Sequence, residues 1–124
     1  MRIGELSRRT GVSVRALRHY EDAGVLPAGR CANGYRVYGD DAVGQVRRIR
    51  AMLDSGLPLR IVREVLPYLD GPAEVMPEVP CPYLVDQVAE QLAQLDERIR
   101  SLTRNRDAID AYLRAARAQR LTVP

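Results

Sequence analysis

Apolar and polar residues change their period several times along this chain, and each change marks an element. Ile3 and Leu6 open a short amphipathic segment that ends at Thr10-Gly11, where glycine's tolerance of positive φ suits a corner between helices. Ser13 then stands as the N-cap of a second helix. At about 100° per residue, Ala16, Leu17 and Tyr20 share one face of that helix. Arg15, Arg18, His19 and Asp22 share the other, and Gly24 ends it. Asn33-Gly34 is a strong hairpin signal, because a type I′ turn needs positive φ at both central positions. After it Tyr35, Arg36, Val37 and Tyr38 alternate, which predicts Arg36 and Tyr38 on one side and Tyr35 and Val37 packed on the other.

Asp40 or Asp41 caps a third helix with the apolar stripe Val43, Val46, Ile49, Ala51 and Leu53, and Gly56 stops it. Pro58 opens a fourth helix, where a missing N–H costs nothing; Ile61, Val62, Val65, Leu66 and Leu69 are its expected buried set. Residues 71–80, GPAEVMPEVP, contain three prolines and cannot continue a helix, so 71–81 read as a linker.

From Pro82 to Ala118 neither Gly nor a further Pro interrupts the chain, and one long helix is predicted. Its apolar residues are Val85, Val88, Leu92, Leu95, Ile99 and Leu102, and the register passes through Arg106 to Ile109 and Leu113. Alternating steps of three and four make a heptad seam. At about 1.5 Å per residue the helix is roughly 55 Å long, more than a fold this small can cover. An exposed apolar stripe of that length is costly, so pairing with a second copy in antiparallel sense is expected, with Arg106 fixing register. The expected architecture is mainly α. A winged helix-turn-helix domain fills residues 1–70, a coiled-coil dimerisation helix fills 82–118, and 119–124 form a short tail.

Composition sharpens this picture. The 124 residues include no Phe or Trp, so aliphatic side chains must fill whatever core the chain builds. All 19 basic residues are arginine. Residues 1–70 carry twelve Arg against eight acids, net +4, whereas 71–124 carry seven against eight, net −1. Positive charge therefore accompanies the second helix. A short helix held by its apolar side and offering guanidinium groups from the other is shaped to enter the DNA major groove, and an outward Arg on a ribbon behind it can reach phosphate. Double-stranded DNA is the expected partner.

One His, no Ser/His/Asp or Cys/His grouping and no Gly-rich phosphate loop argue against an enzyme, and no cofactor or metal site is expected. A DNA-bending architectural protein is the alternative, which a dedicated two-fold seam disfavours. Two cysteines, Cys31 and Cys81, make no disulfide framework, and no apolar run is long enough to span a bilayer. A cytoplasmic protein is expected. Cys81 precedes Pro82 at the start of the long helix, a setting that favours a reactive thiolate, and is a candidate thiol sensor; Cys31 is read as incidental.

GVSVRALRHYEDAGVL followed by NGYRVY, with two further helices and a long coiled-coil helix, resembles the MerR family of bacterial transcription regulators over residues 1 to about 115. The resemblance implies an antiparallel homodimer straddling a promoter whose −35 and −10 elements lie too far apart. On activation such a dimer bends and untwists the DNA so that RNA polymerase engages both elements. It also implies DNA contacts from Arg15, Arg18, His19 and Tyr20 on the recognition helix and from Arg36 and Tyr38 on the wing. Family members more often carry Tyr where this chain has His19. Metal and redox sensors of the family resemble one another in cysteines after the long helix, and drug sensors in a ligand domain there. Neither is expected of residues 119–124, so the effector stays unassigned.

Overall fold

The computed structural model describes residues 1–30, 33–69 and 81–122. Helix α1, Ile3–Thr10, closes on Gly11, whose φ of 74° lets its N–H return to the Ser7 carbonyl at 2.9 Å. The Ser7 hydroxyl donates to the Val12 carbonyl at 2.7 Å and the Thr10 hydroxyl to the Leu6 carbonyl at 2.8 Å. The Ser7 side chain thus satisfies a carbonyl of the corner itself. Helix α2, Val14–Asp22, starts at Ser13, whose hydroxyl accepts the Ala16 N–H at 3.1 Å.

Strands β1, Gly29–Arg30, and β2, Arg36–Val37, pair antiparallel with Gly29 opposite Val37 and Arg30 opposite Arg36. The hairpin is longer than the Asn33-Gly34 pattern predicts, because residues 31–35 separate the paired positions. Gly34 takes a φ of 84°, but no described residue other than glycine has positive φ, so Asn33 does not adopt the left-handed conformation of a type I′ turn. The Asn33 Oδ1 instead accepts the Tyr35 N–H at 3.4 Å. Cys31 lies outside the described residues.

Helix α3, Ala42–Asp54, and helix α4, Leu59–Val65, follow, with a 3₁₀ turn over Leu66–Tyr68. Pro58 is the N-cap of α4, one position before its predicted place. Leu6 of α1, Leu17 of α2, Leu26, Val46 and Ile49 of α3, and Ile61 and Val62 of α4 are fully buried. Each such side chain contributes about 1.5–3 kcal/mol. Ala51 and Leu69, expected in the apolar stripes, are exposed.

The chain divides into two compact units, Met1–Val79 and Pro80–Pro124. The linker expected at 71–80 lies outside the described residues. In the second unit a single helix, α5, spans Pro82–Thr122, 41 residues. It runs past residue 118, where a tail was expected, since no Pro or Gly interrupts it before Pro124. Along it Val85, Leu92, Ile99, Leu102, Ile109 and Leu113 are exposed, while Val88 and Leu95 are half-buried. No helix among the described residues is long and apolar enough to cross a membrane.

Candidate nucleic-acid interface

Helix α2 sorts its side chains as its periodicity predicts. Leu17 and Tyr20 are buried, Ala16 is half-buried, and Arg15, Arg18, His19 and Asp22 are exposed. Burial of Leu17 and Tyr20 fixes the rotation of the helix about its axis, and that rotation aims the polar row outward. Tyr20 is only 3% exposed, so its ring is core. Its side chain also hydrogen-bonds Arg50, and this bond, followed by attraction to Asp54 at 3.1 Å, raises the guanidinium pKa above its ordinary value. Arg50 is thereby tied to neighbours on the protein's own surface.

The ribbon departs from its predicted alternation. Arg36 is exposed as expected, but Tyr38 is 2% exposed and belongs to the core, so it does not stand outward as a wing contact. The reason is that the strand is only two residues long. Tyr38 leaves it to exchange backbone hydrogen bonds with Met1, N–H to carbonyl at 2.7 Å in both directions. Its hydroxyl donates to Glu21 Oε2 at 2.8 Å. Burial first, and then the Glu21 carboxylate, push the phenol pKa from its ordinary 10.0 up to about 12, which keeps the hydroxyl a donor. Tyr35, expected to pack within the ribbon, is exposed instead.

Glu21 is the residue that sequence reasoning missed. It lies in the last turn of α2, where the helix dipole disfavours a negative charge. Arg36 Nη1 sits 3.1 Å from its Oε2, the same oxygen that takes the Tyr38 hydroxyl. One carboxylate therefore joins the end of α2, the exposed wing arginine and the buried wing tyrosine. An acid in the last turn of a helix, where the dipole is unfavourable, was the only hint in the sequence, and nothing local singled out Arg36 and Tyr38 as its partners.

Arg18 and Arg36 also border a common open cleft of about 540 Å³. Among the described residues no cluster of three or more His, Cys, Asp and Glu could hold a metal ion. Cys81 is exposed, and its carbonyl accepts the Val85 N–H at 3.0 Å in the first turn of α5.

Comparison with known proteins agrees with this geometry. The profile of the MerR HTH family regulatory proteins matches residues 1–69. The regulator HmrR of Sinorhizobium medicae (strain WSM419) is 34% identical over 103 residues, covering 82% of this chain and 67% of HmrR. The nodulation protein NolA of Bradyrhizobium sp. (strain NC92) is 33% identical over 109 residues, 87% of this chain but 41% of NolA, so the chain spans less than half of that relative's length. In fold, the chain is similar to HiNmlR, a MerR family regulator lacking the sensor domain and solved bound to promoter DNA. The TM-score is 0.54 at 20% identity, covering 90% of this chain and 86% of that one. A family match over more than half of the chain, on the very residues that build the winged helix-turn-helix, places this protein in the MerR family of helix-turn-helix transcriptional regulators.

Proposed function

We propose that this protein controls transcription by binding a promoter palindrome as an antiparallel homodimer and by bending and untwisting the DNA between the promoter elements for RNA polymerase. The observation that carries this reading is the exposed polar row of α2 in the first unit. It holds Arg15, Arg18 and His19 on α2, with Arg36 of the wing tied to the end of the same helix through Glu21. A groove-reading helix flanked by a phosphate-reaching arginine is what duplex recognition requires. The promoter-bound state of HiNmlR supports DNA as the partner.

Dimerisation through Val85, Val88, Leu92, Leu95, Ile99, Leu102, Ile109 and Leu113 is supported by the long α5, about 60 Å at 1.5 Å per residue, with six of these eight side chains exposed in the single chain. Two copies that bury these stripes against each other impose two-fold symmetry, and so a palindrome, on the DNA site. A purely architectural role is less well supported, because the relatives named above include a regulator, HmrR, over most of the chain.

Nuclease footprinting on the DNA upstream of the gene encoding this chain tests the reading. One bounded dyad between promoter elements is the expected result. Extended cooperative coverage without a dyad would replace it with the architectural role.

A further inference from the structure

Arg2 occupies the N-cap position of α1 without a side-chain capping bond, and its guanidinium carbon lies 4.1 Å from the centroid of the Tyr35 ring. The two residues are far apart in sequence. They meet because the paired backbone bonds between Met1 and Tyr38 lay the start of the chain alongside β2. A guanidinium over an aromatic face is attracted by the ring quadrupole, so each side chain restricts the other. The stacked pair lines the same cleft of about 540 Å³ as Arg18 of α2 and Arg36 of the wing.

Three guanidinium groups from three separate elements thus converge on one concavity. The nearby carboxylate of Glu21 is engaged by Arg36 and Tyr38, which leaves the cleft net positive. Like charges held together repel unless an anion is shared between them. Guanidinium forks match phosphate oxygens in bidentate geometry, and Gly34 at the rim presents no side chain to obstruct approach.

We propose that this cleft seats a backbone phosphate of duplex DNA, that Arg2 is one of its ligands, and that Tyr35 is a positioning residue that holds Arg2 by stacking. The inference rests on the DNA-binding reading above and adds two residues to it. It explains why Tyr35, the most exposed aromatic of the first unit at 54%, stays outside the core.

The test uses the full chain and a duplex of mixed sequence, with affinity followed by fluorescence anisotropy across a range of KCl concentrations. Arg2→Gln is expected to reduce the slope of log K against log salt by about 0.9 for each protomer bound. Arg117→Gln, an equal loss of charge on α5, is expected to leave the slope as it is. Tyr35→Leu removes no charge yet is expected to weaken binding several-fold, Tyr35→Phe to restore it, and Tyr35→Leu to add nothing once Arg2 is Gln. Matching circular dichroism and melting temperatures confirm that the variants are folded. A wild-type slope for Arg2→Gln, or additive effects of the two substitutions, would overturn the proposal while leaving DNA binding intact. Failure of the wild-type chain to bind the duplex at low salt would overturn the DNA-binding reading and this inference together.

Discussion

Arg36 of the wing reaches back to Glu21 at the end of α2, Nη1 to Oε2 at 3.1 Å, and this contact ties the wing to that helix. The pair is partly exposed, so its direct contribution to stability is small. Its consequence is geometric. The Arg36 guanidinium, proposed above to reach phosphate, is oriented by the end of α2, and the same carboxylate accepts the Tyr38 hydroxyl. Glu21→Ala leaves the Tyr38 hydroxyl buried without its acceptor and is expected to cost about 1–3 kcal/mol. Thermal unfolding at fixed protein concentration measures it, and a melting temperature equal to wild type would show that the hydroxyl finds another partner.

The Tyr38 phenol gives the fold a defined sensitivity to alkali. Its folded pKa of about 12 lies above the ordinary 10.0, so the folded state holds its proton where the unfolded state has lost it. The associated stabilisation is complete below pH 10 and is lost as pH rises through about 12, on the order of 2 kcal/mol in all. Tyr38→Phe has no proton to lose. Its unfolding free energy, measured from pH 9 to pH 12, is expected to fall less steeply than that of wild type. Parallel curves would place the loss on other tyrosines.

Arg18 and Arg36 are expected to fail differently on DNA. Arg36→Ala is expected to remove a phosphate partner, and so to weaken binding to all sequences alike and flatten the salt dependence. Arg18→Ala is expected also to relax discrimination at one base position by about 1–3 kcal/mol. Competition binding with single-base variants of the footprinted site separates the two. If Arg18→Ala preserves the full sequence preference, Arg18 is a phosphate ligand only.

Leu102 is exposed in the single chain, so Leu102→Glu disturbs little of the protomer itself. In an antiparallel coiled coil it buries an unpaired carboxylate in each copy, a cost of several kcal/mol. Light scattering at micromolar concentration is expected to show a dimer for wild type and a monomer for the variant. A wild-type monomer would remove α5 as the dimerisation helix.

Ser13→Ala tests the local origin of the recognition helix. The Ser13 hydroxyl accepts the Ala16 N–H at 3.1 Å, and its loss is expected to cost about 1 kcal/mol. Ser13→Asn keeps a capping oxygen and is expected to recover most of that in chemical denaturation. Equal losses for both would assign the effect to the corner backbone rather than the cap.

Much of this protein is written in local pattern. The faces of α2, the Ser13 cap, the Gly11 corner, the arginines on the polar row and the uninterrupted α5 follow from periodicities of 3.6 and 3.5 residues and from local backbone preference. Such features depend on neighbours within one or two turns, which the sequence displays directly. The wing is where that reasoning stops. Whether Tyr38 faces out or in depends on where a two-residue strand ends, and that end is set by backbone bonds to Met1, which lies far away along the chain. The capture of Arg36 by Glu21, the stacking of Arg2 on Tyr35 and their shared cleft with Arg18 each join side chains from separate elements. No period in the sequence encodes those distances. They arise only when burial of Leu6, Leu17, Val46, Ile49 and Val62 in one core brings the elements that carry these side chains into contact.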